Sequence, residues 1–354
     1  MKRVTFCRFL GLATISLFFA WPWTDTDAYT GGYEIGHHRK DTSSRRFLTG
    51  EHEKPYEIHS AMPAYWQFLK EDAPANTSVA RFRELVVDPN REAFRSVAAS
   101  SLNERSLDRI VRYLKGQTEQ LHRVDDEFAG RFEKSWHRFA EFVPDLKAGA
   151  IVFLLPAPRS MVGGSVRPLG DKDAVILGTE EIGLAMKSKT GFDVLVQHEL
   201  THLYHQQVNP EMRQMVAEVY MPPFPQGRAK LYQVMWLEGL AVYTSKHLNQ
   251  TAPDREVLVS NTLAADVKSR WPRLGAEVRK YLDSTKKADI DAFHFAPDVH
   301  RPVPRRTGYY VGMLIARQLA KKYPFPEMCR LAGPKLRAEI EQALLELEKT
   351  EIER

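Results

Sequence analysis

Val196-Gln197-His198-Glu199-Leu200-Thr201-His202-Leu203-Tyr204-His205 sets two histidines four residues apart, with a glutamate directly after the first. On a helix, residues i and i+4 share a face, roughly 5–6 Å apart at Cβ. His198 and His202 can therefore hold one metal ion between them. Glu199 projects about 100° away from His198, so it can reach a water on that metal without ligating it. The surrounding residues read as a helix from Phe192 to Gln207, led by Phe192, Val194 and Leu195 and ending near Asn209-Pro210. His205 falls seven residues after His198. It shares the metal face but lies a turn too far to ligate well. It reads as structural or solvent-facing, with lining of a substrate site as the alternative.

Two histidines do not complete a catalytic zinc site, which usually takes three protein ligands and keeps one position for water. One route adds a third His in H-E-x-x-H-x-x-G-x-x-H. That route fails, because His205 stands where the pattern has Gly and Val208 where it has His. The other route takes a carboxylate from a later helix, and Glu211, Glu218 and Glu238 are the candidates. Glu238 is preferred: Gly239 and Ala241 add no bulk and would let its helix approach the first closely.

Met235-Trp236-Leu237-Glu238-Gly239-Leu240-Ala241-Val242-Tyr243, coming after H-E-x-x-H, resembles the gluzincin zinc metallopeptidases, and the spelling is similar to their aminopeptidase N-like branch. The resemblance implies one zinc ion held by His198, His202 and Glu238, with Glu199 as general base. It implies hydrolysis of a peptide or protein substrate by a zinc-activated water. Gly308-Tyr309-Tyr310-Val311-Gly312 resembles the Tyr-x-x-Gly helix start of the same branch. There the tyrosine donates a hydrogen bond to the tetrahedral oxyanion. By the spacing to Gly312 this is Tyr309, with Tyr310 as the fallback. The family's Gly-rich substrate-binding strand would correspond to Met161–Val166, where Gly163 and Gly164 allow close approach.

The chain also departs from the family. The gap of 36 positions from His202 to Glu238 implies an insertion, and Val242 stands where the thermolysin-like branch has a ligand-orienting Asp. No Gly-Ala-Met-Glu-Asn sequence is present to read a free amino terminus. The order of motifs, over about residues 150–345, is similar to secreted gluzincin-like peptidases of bacteria. Two other readings keep the ligands: a non-catalytic zinc-binding envelope protein, and a zinc hydrolase of a non-peptide amide or ester.

The chain has 354 residues, 43% hydrophobic and 27% charged, with a net charge of +5. That is enough chain for a sizeable core. No Lys/Arg run rises above the scatter, and the short pairs Arg305-Arg306 and Lys321-Lys322 read as solvated surface. A nucleic-acid partner is not expected. Met1-Lys2-Arg3 and Arg8, the apolar Phe9–Trp23 and the ending Thr26-Asp27-Ala28 have the layout of a signal peptide cut after Ala28. An apolar run of about 15 residues is short for a bilayer span of roughly 20. The expectation is an exported protein, periplasmic or secreted, with no stable membrane span after cleavage. A retained N-terminal anchor is the alternative. Cys329 alone follows the cut, so no internal disulfide forms there, and it reads as a small buried hydrophobe. Nothing in the residues indicates an oligomeric state.

Residues 29–55 are polar and aperiodic and read as a flexible leader. From about 60 the spacing turns helical, with an aromatic stripe through Phe128, Phe132, Trp136 and Phe139. His122 and His137 lie there without a metal pattern and read as structural. Ala150–Leu155, Met161–Val166 and Asp173–Gly178 read as strands, with Gly170-Asp171 as the turn between the last two. Residues 210–228 include Pro222–Gly227, which reads as a loop. Helices are expected over about 230–248, 254–267, 309–323 and 334–350. Residues 283–304, carrying His294 and His300, read as a long loop. The expected fold is α+β, mostly α. A zincin-like domain over 150–354 carries a small sheet beside the metal helix, and a helical N-terminal portion over 56–149 packs on it.

Overall fold

The structure, a computed structural model, describes residues 55–72, 74–220, 229–294 and 303–350. The signal peptide at 1–28, the leader up to residue 54, the Pro222–Gly227 loop and His300 lie outside the described residues.

The first element is a strand, β1 (Tyr56–Ser60). This corrects the reading of residues 56–149 as helical. Tyr56 and Ile58 alternate with Glu57 and His59, the pattern of a half-buried strand. The helices α1 (Met62–Glu71), α2 (Ala75–Phe82), α3 (Arg91–Ala98), α4 (Glu104–Lys115) and α5 (Thr118–Phe142) follow. Asn103 caps α4 by accepting from the Ser106 N–H at 3.0 Å. The aromatic stripe of α5 is buried as expected, and the Tyr56 ring packs on it, 5.1 Å from Phe132 and 4.7 Å from Trp136.

Three further strands follow: β2 (Ala150–Leu155), β3 (Gly164–Leu169) and β4 (Lys172–Gly178). The sheet order is β1-β2-β4-β3. β1 and β4 both run parallel to β2, and β3 returns antiparallel to β4, leaving β1 and β3 as the two edge strands. The hairpin turns at Gly170, whose φ of +62° suits a residue without Cβ. β3 begins later than the expected Met161, because the Met161 and Val162 N–H groups close a turn onto the Pro158 carbonyl.

Then come α6 (Thr179–Ala185), α7 (Gly191–Val208), α8 (Pro210–Tyr220) and α9 (Leu231–Leu248). α7 carries both histidines and is enclosed by α5, α9, β3 and β4, with every residue from 194 to 206 buried. Its buried polar groups need partners. Thr201 donates to the Gln197 carbonyl at 2.7 Å, and the Gln197 side chain accepts from Asn249 at 2.7 Å. Arg138 of α5 donates to the Asn249 side-chain oxygen at 3.1 Å, tying α5, α7 and the end of α9 together. α8 lies ahead of the Pro222–Gly227 loop. Pro210 opens it and the Asn209 side chain accepts from the Met212 N–H at 3.1 Å, a helix start in which proline's missing donor costs nothing.

The chain closes with α10 (Asp254–Val257), α11 (Leu263–Arg270), α12 (Arg273–Tyr281), α13 (Lys287–His294), α14 (Thr307–Leu319), α15 (Phe325–Arg330) and α16 (Gly333–Lys349). The helix expected over 254–267 is broken in two, with Val259 held at φ +56°, which a helix cannot accommodate. α13 occupies part of the segment read as a long loop. The described residues are thus mostly helical around a small four-stranded sheet, an α+β arrangement. None of their helices is long and apolar enough to cross a membrane.

Candidate metal centre

α7 presents His198 and His202 on one face, and α9 lays Glu238 against them. The two Nε2 atoms stand 3.1 Å apart. The Glu238 Oε2 atom lies 3.4 Å from His198 Nε2 and 3.6 Å from His202 Nε2. All three side chains are buried, and they form a group able to hold a metal ion. Burial alone would raise the Glu238 carboxyl, but hydrogen bonding to His198 and His202 holds it well below the usual carboxylate range. It is therefore held as the charged carboxylate. Glu211 and Glu218, the other two carboxylates considered, are not part of the group.

Glu199 lies beside these atoms and is 1% exposed. Burial pushes its carboxyl up to about 7; His202 and Arg167 pull it down and Glu238 pushes it further up. Gly164 of β3 explains how it fits. A Cβ on Gly164 would sit 2.3 Å from Glu199 Oε1, so only glycine admits the carboxylate there. Gly163 serves the sheet instead, its carbonyl accepting from the Gly178 N–H at 2.9 Å.

The close approach expected of Gly239 is made to a different partner. Gly239 faces α14, where a Cβ would sit 2.2 Å from the Gly312 carbonyl carbon. A Cβ on Gly312 would in turn meet the Met235 carbonyl oxygen at 2.3 Å. The ligand-bearing helix and the tyrosine-bearing helix thus cross backbone on backbone. Tyr309 is buried at the start of α14, with the Arg306 guanidinium carbon 3.9 Å from its ring centroid and the His294 ring 5.7 Å away. Tyr310 is also buried but feels Arg317 and Asp254 rather than the ligand group. Of the two, Tyr309 is the one linked to the site, through Arg306, which also feels Glu238.

His205 is fully buried and outside the ligand group, which excludes the solvent-facing reading. Neither of its ring nitrogens has a hydrogen-bond partner among the described residues, and burial drives its pKa down to about 3. It is carried neutral in the fold. Protonation in the unfolded chain near the ordinary histidine value of about 6.5 then favours unfolding as pH falls from there toward the folded value. His205→Leu is expected to lose less thermal stability than the parent between pH 6.5 and pH 4.5, measured in the same metal state. A single histidine accounts for up to about 1.4 kcal/mol per pH unit. Parallel stability profiles for the two proteins would contradict this.

Three functional-looking residues were not legible. Arg306 was read with Arg305 as solvated surface, yet it is buried. Arg167 and Glu181 are likewise buried and act electrostatically on Glu199. The one signal available was the pair Arg305-Arg306 just before the Tyr-x-x-Gly spacing. His122 stacks flat on Trp66 at 3.9 Å and His137 is exposed, in keeping with structural roles. Cys329 is fully buried. In comparisons with protein-family models, curated proteins and solved structures, the chain matches none.

Proposed function

We propose that this chain is an exported, gluzincin-like zinc metallopeptidase that cleaves peptide bonds in a peptide or protein substrate. The observation that carries the reading is the ligand triangle of 3.1, 3.4 and 3.6 Å between His198, His202 and Glu238. Two atoms bound about 2.1 Å from one zinc ion at the tetrahedral angle stand about 3.4 Å apart. The three side chains therefore fit a zinc ion without rearrangement, and two imidazoles with one carboxylate are a donor set used for catalytic zinc.

His198, His202 and Glu238 would hold the zinc ion, which when bound would supply Lewis acidity toward a water and the scissile carbonyl. Glu199 takes the proton of the attacking water and passes it to the leaving amine. Its burial against Gly164 raises its basicity toward the neutral range, which suits both transfers. Tyr309 donates to the carbonyl oxygen as negative charge develops. β3, an edge strand, brings Gly164 alongside Glu199 and offers a line for an extended peptide to pair along. The amino-terminal layout supports export.

The test is metal content by mass spectrometry, with cleavage of an unstructured protein before and after chelation. One zinc per chain and activity that falls on chelation and returns with zinc are expected. A protein that takes up no zinc, or cleaves equally well without it, would refute the proposal. Glu238→Ala is expected to weaken zinc binding by more than ~100-fold, beyond what losing a supporting hydrogen bond costs. Full zinc stoichiometry at micromolar protein in that variant would show that the third ligand lies elsewhere.

A further inference from the structure

We infer that Arg306 acts with Tyr309 on the oxyanion of the reaction, as a fixed positive charge at that end of the site. The inference rests on the metallopeptidase reading and adds a residue to the same centre.

Arg306 precedes α14 and adopts φ 65° and ψ 16°, the left-handed region. A residue with a Cβ is strained there, and such strain persists where the surroundings over-determine it, most often at functional sites. Here the strain turns a long cation inward instead of toward water. The guanidinium is buried and lies over the Tyr309 ring, its carbon 3.9 Å from the centroid. It feels the Glu238 and Glu181 carboxylates and is repelled by Arg305.

A second neighbour of the phenol ring is His294. The two rings lie 5.7 Å apart and tilted by 59°. Gly308 makes the room, since a Cβ there would sit 2.3 Å from His294 Nε2. His294 Nδ1 lies 3.2 Å from the Ile290 carbonyl, which can only accept, so Nδ1 carries the proton. Burial drives His294 down to about 4, so it is neutral. The phenol ring thus has a planar cation and a neutral imidazole as neighbours. Of the two, only Arg306 can offset a charge that develops on an oxygen held by Tyr309. Arginine keeps its charge at any working pH, and a buried preorganised charge acts more strongly than one in water.

A cation beside a metal ligand also opposes metal binding by repulsion, and this separates the role from simple anchoring of α14. In the full-length protein, Arg306→Met is expected to lower kcat by 10²–10³, the range for loss of one oxyanion-stabilising group, with KM changed less than about threefold. Affinity for a phosphinic peptide, a tetrahedral anion, should fall in parallel. Zinc affinity should rise several-fold. Arg306→Lys should recover part of kcat. Arg306→Gly, which relieves the backbone, should melt no lower than the parent and lose kcat as the Met variant does.

An Arg306→Met protein with kcat within threefold of the parent overturns the inference. So does one that loses zinc affinity and thermal stability together while KM rises, which is the behaviour of an anchor. A wild-type protein that binds zinc but neither cleaves peptides nor binds the phosphinic peptide overturns the metallopeptidase reading and this role with it.

Discussion

Glu199→Gln is expected to bind as much zinc as the parent protein and to cleave peptides at least about 10³-fold more slowly, within the range for a general base. Glu199 is not one of the three atoms in the ligand triangle, so its replacement leaves that triangle intact. The amide is nearly the same size as the carboxylate and meets the same backbone at Gly164. It cannot accept the proton of an attacking water. The Glu199 Oε2 atom has no hydrogen-bond partner among the described residues, so the amide breaks no bond at that oxygen and carries no buried charge. The thermal midpoint should therefore stay level or rise. The measurement pairs metal stoichiometry with kcat/KM on one peptide. Activity within tenfold of the parent would remove Glu199 from the mechanism. Loss of zinc would mean that it supports the ligands instead.

Gly312→Val should have the largest effect on the fold. At the crossing of α9 and α14, even a first side-chain carbon would lie 2.3 Å from the Met235 carbonyl oxygen and 2.8 Å from the Gly239 Cα. Both obstacles are backbone in the middle of a helix, so neither can swing aside. Ordinary overpacking costs about 1–3 kcal/mol, and this substitution should exceed that range because two helices must separate. Glu238 directly precedes Gly239, so displacement of α9 also pulls the carboxylate from the histidines. The expected result is a fall in thermal midpoint of more than about 5 °C, at roughly 2–4 °C per kcal/mol, accompanied by loss of zinc. Gly130→Ala is the control. It lies within α5 with nothing near the added carbon, and should be neutral or stabilising. A Gly312→Val protein that melts like the parent and keeps zinc would show that the two helices can part freely.

The legible part of the molecule follows from local chemistry. The spacing of His198 and His202 becomes geometry once the segment is helical, and Glu238 follows from the need for a third ligand and the small residues beside it. Continuous apolar runs marked β2 and β4 because buried strands need them. What escaped reading depended on partners far along the chain. β1 is five residues long and pairs with a strand that begins at Ala150. Nothing within Tyr56–Ser60 specifies that pairing. Gly239 was assigned the right property and the wrong neighbour, since a sequence shows that a helix can be approached but not by which element. Arg306 was the hardest case. Its burial depends on one left-handed residue that reorients a side chain, and arginine gives no compositional sign of that conformation. His294 was placed in a loop because α13 is short and polar, with little periodicity to reveal it.

The parallel pairing of β1 with β2 has a consequence for processing. β1 is the first described element and covers one edge of β2, whose residues are mostly buried. A protease that trims the preceding segment can advance to about residue 55 without touching the sheet. Six residues further and the apolar edge of β2 loses its cover, becoming the kind of open strand that recruits other chains. Tyr56 thus marks a limit on trimming: a chain cut beyond it would uncover β2 and lose its protection against edge-to-edge aggregation.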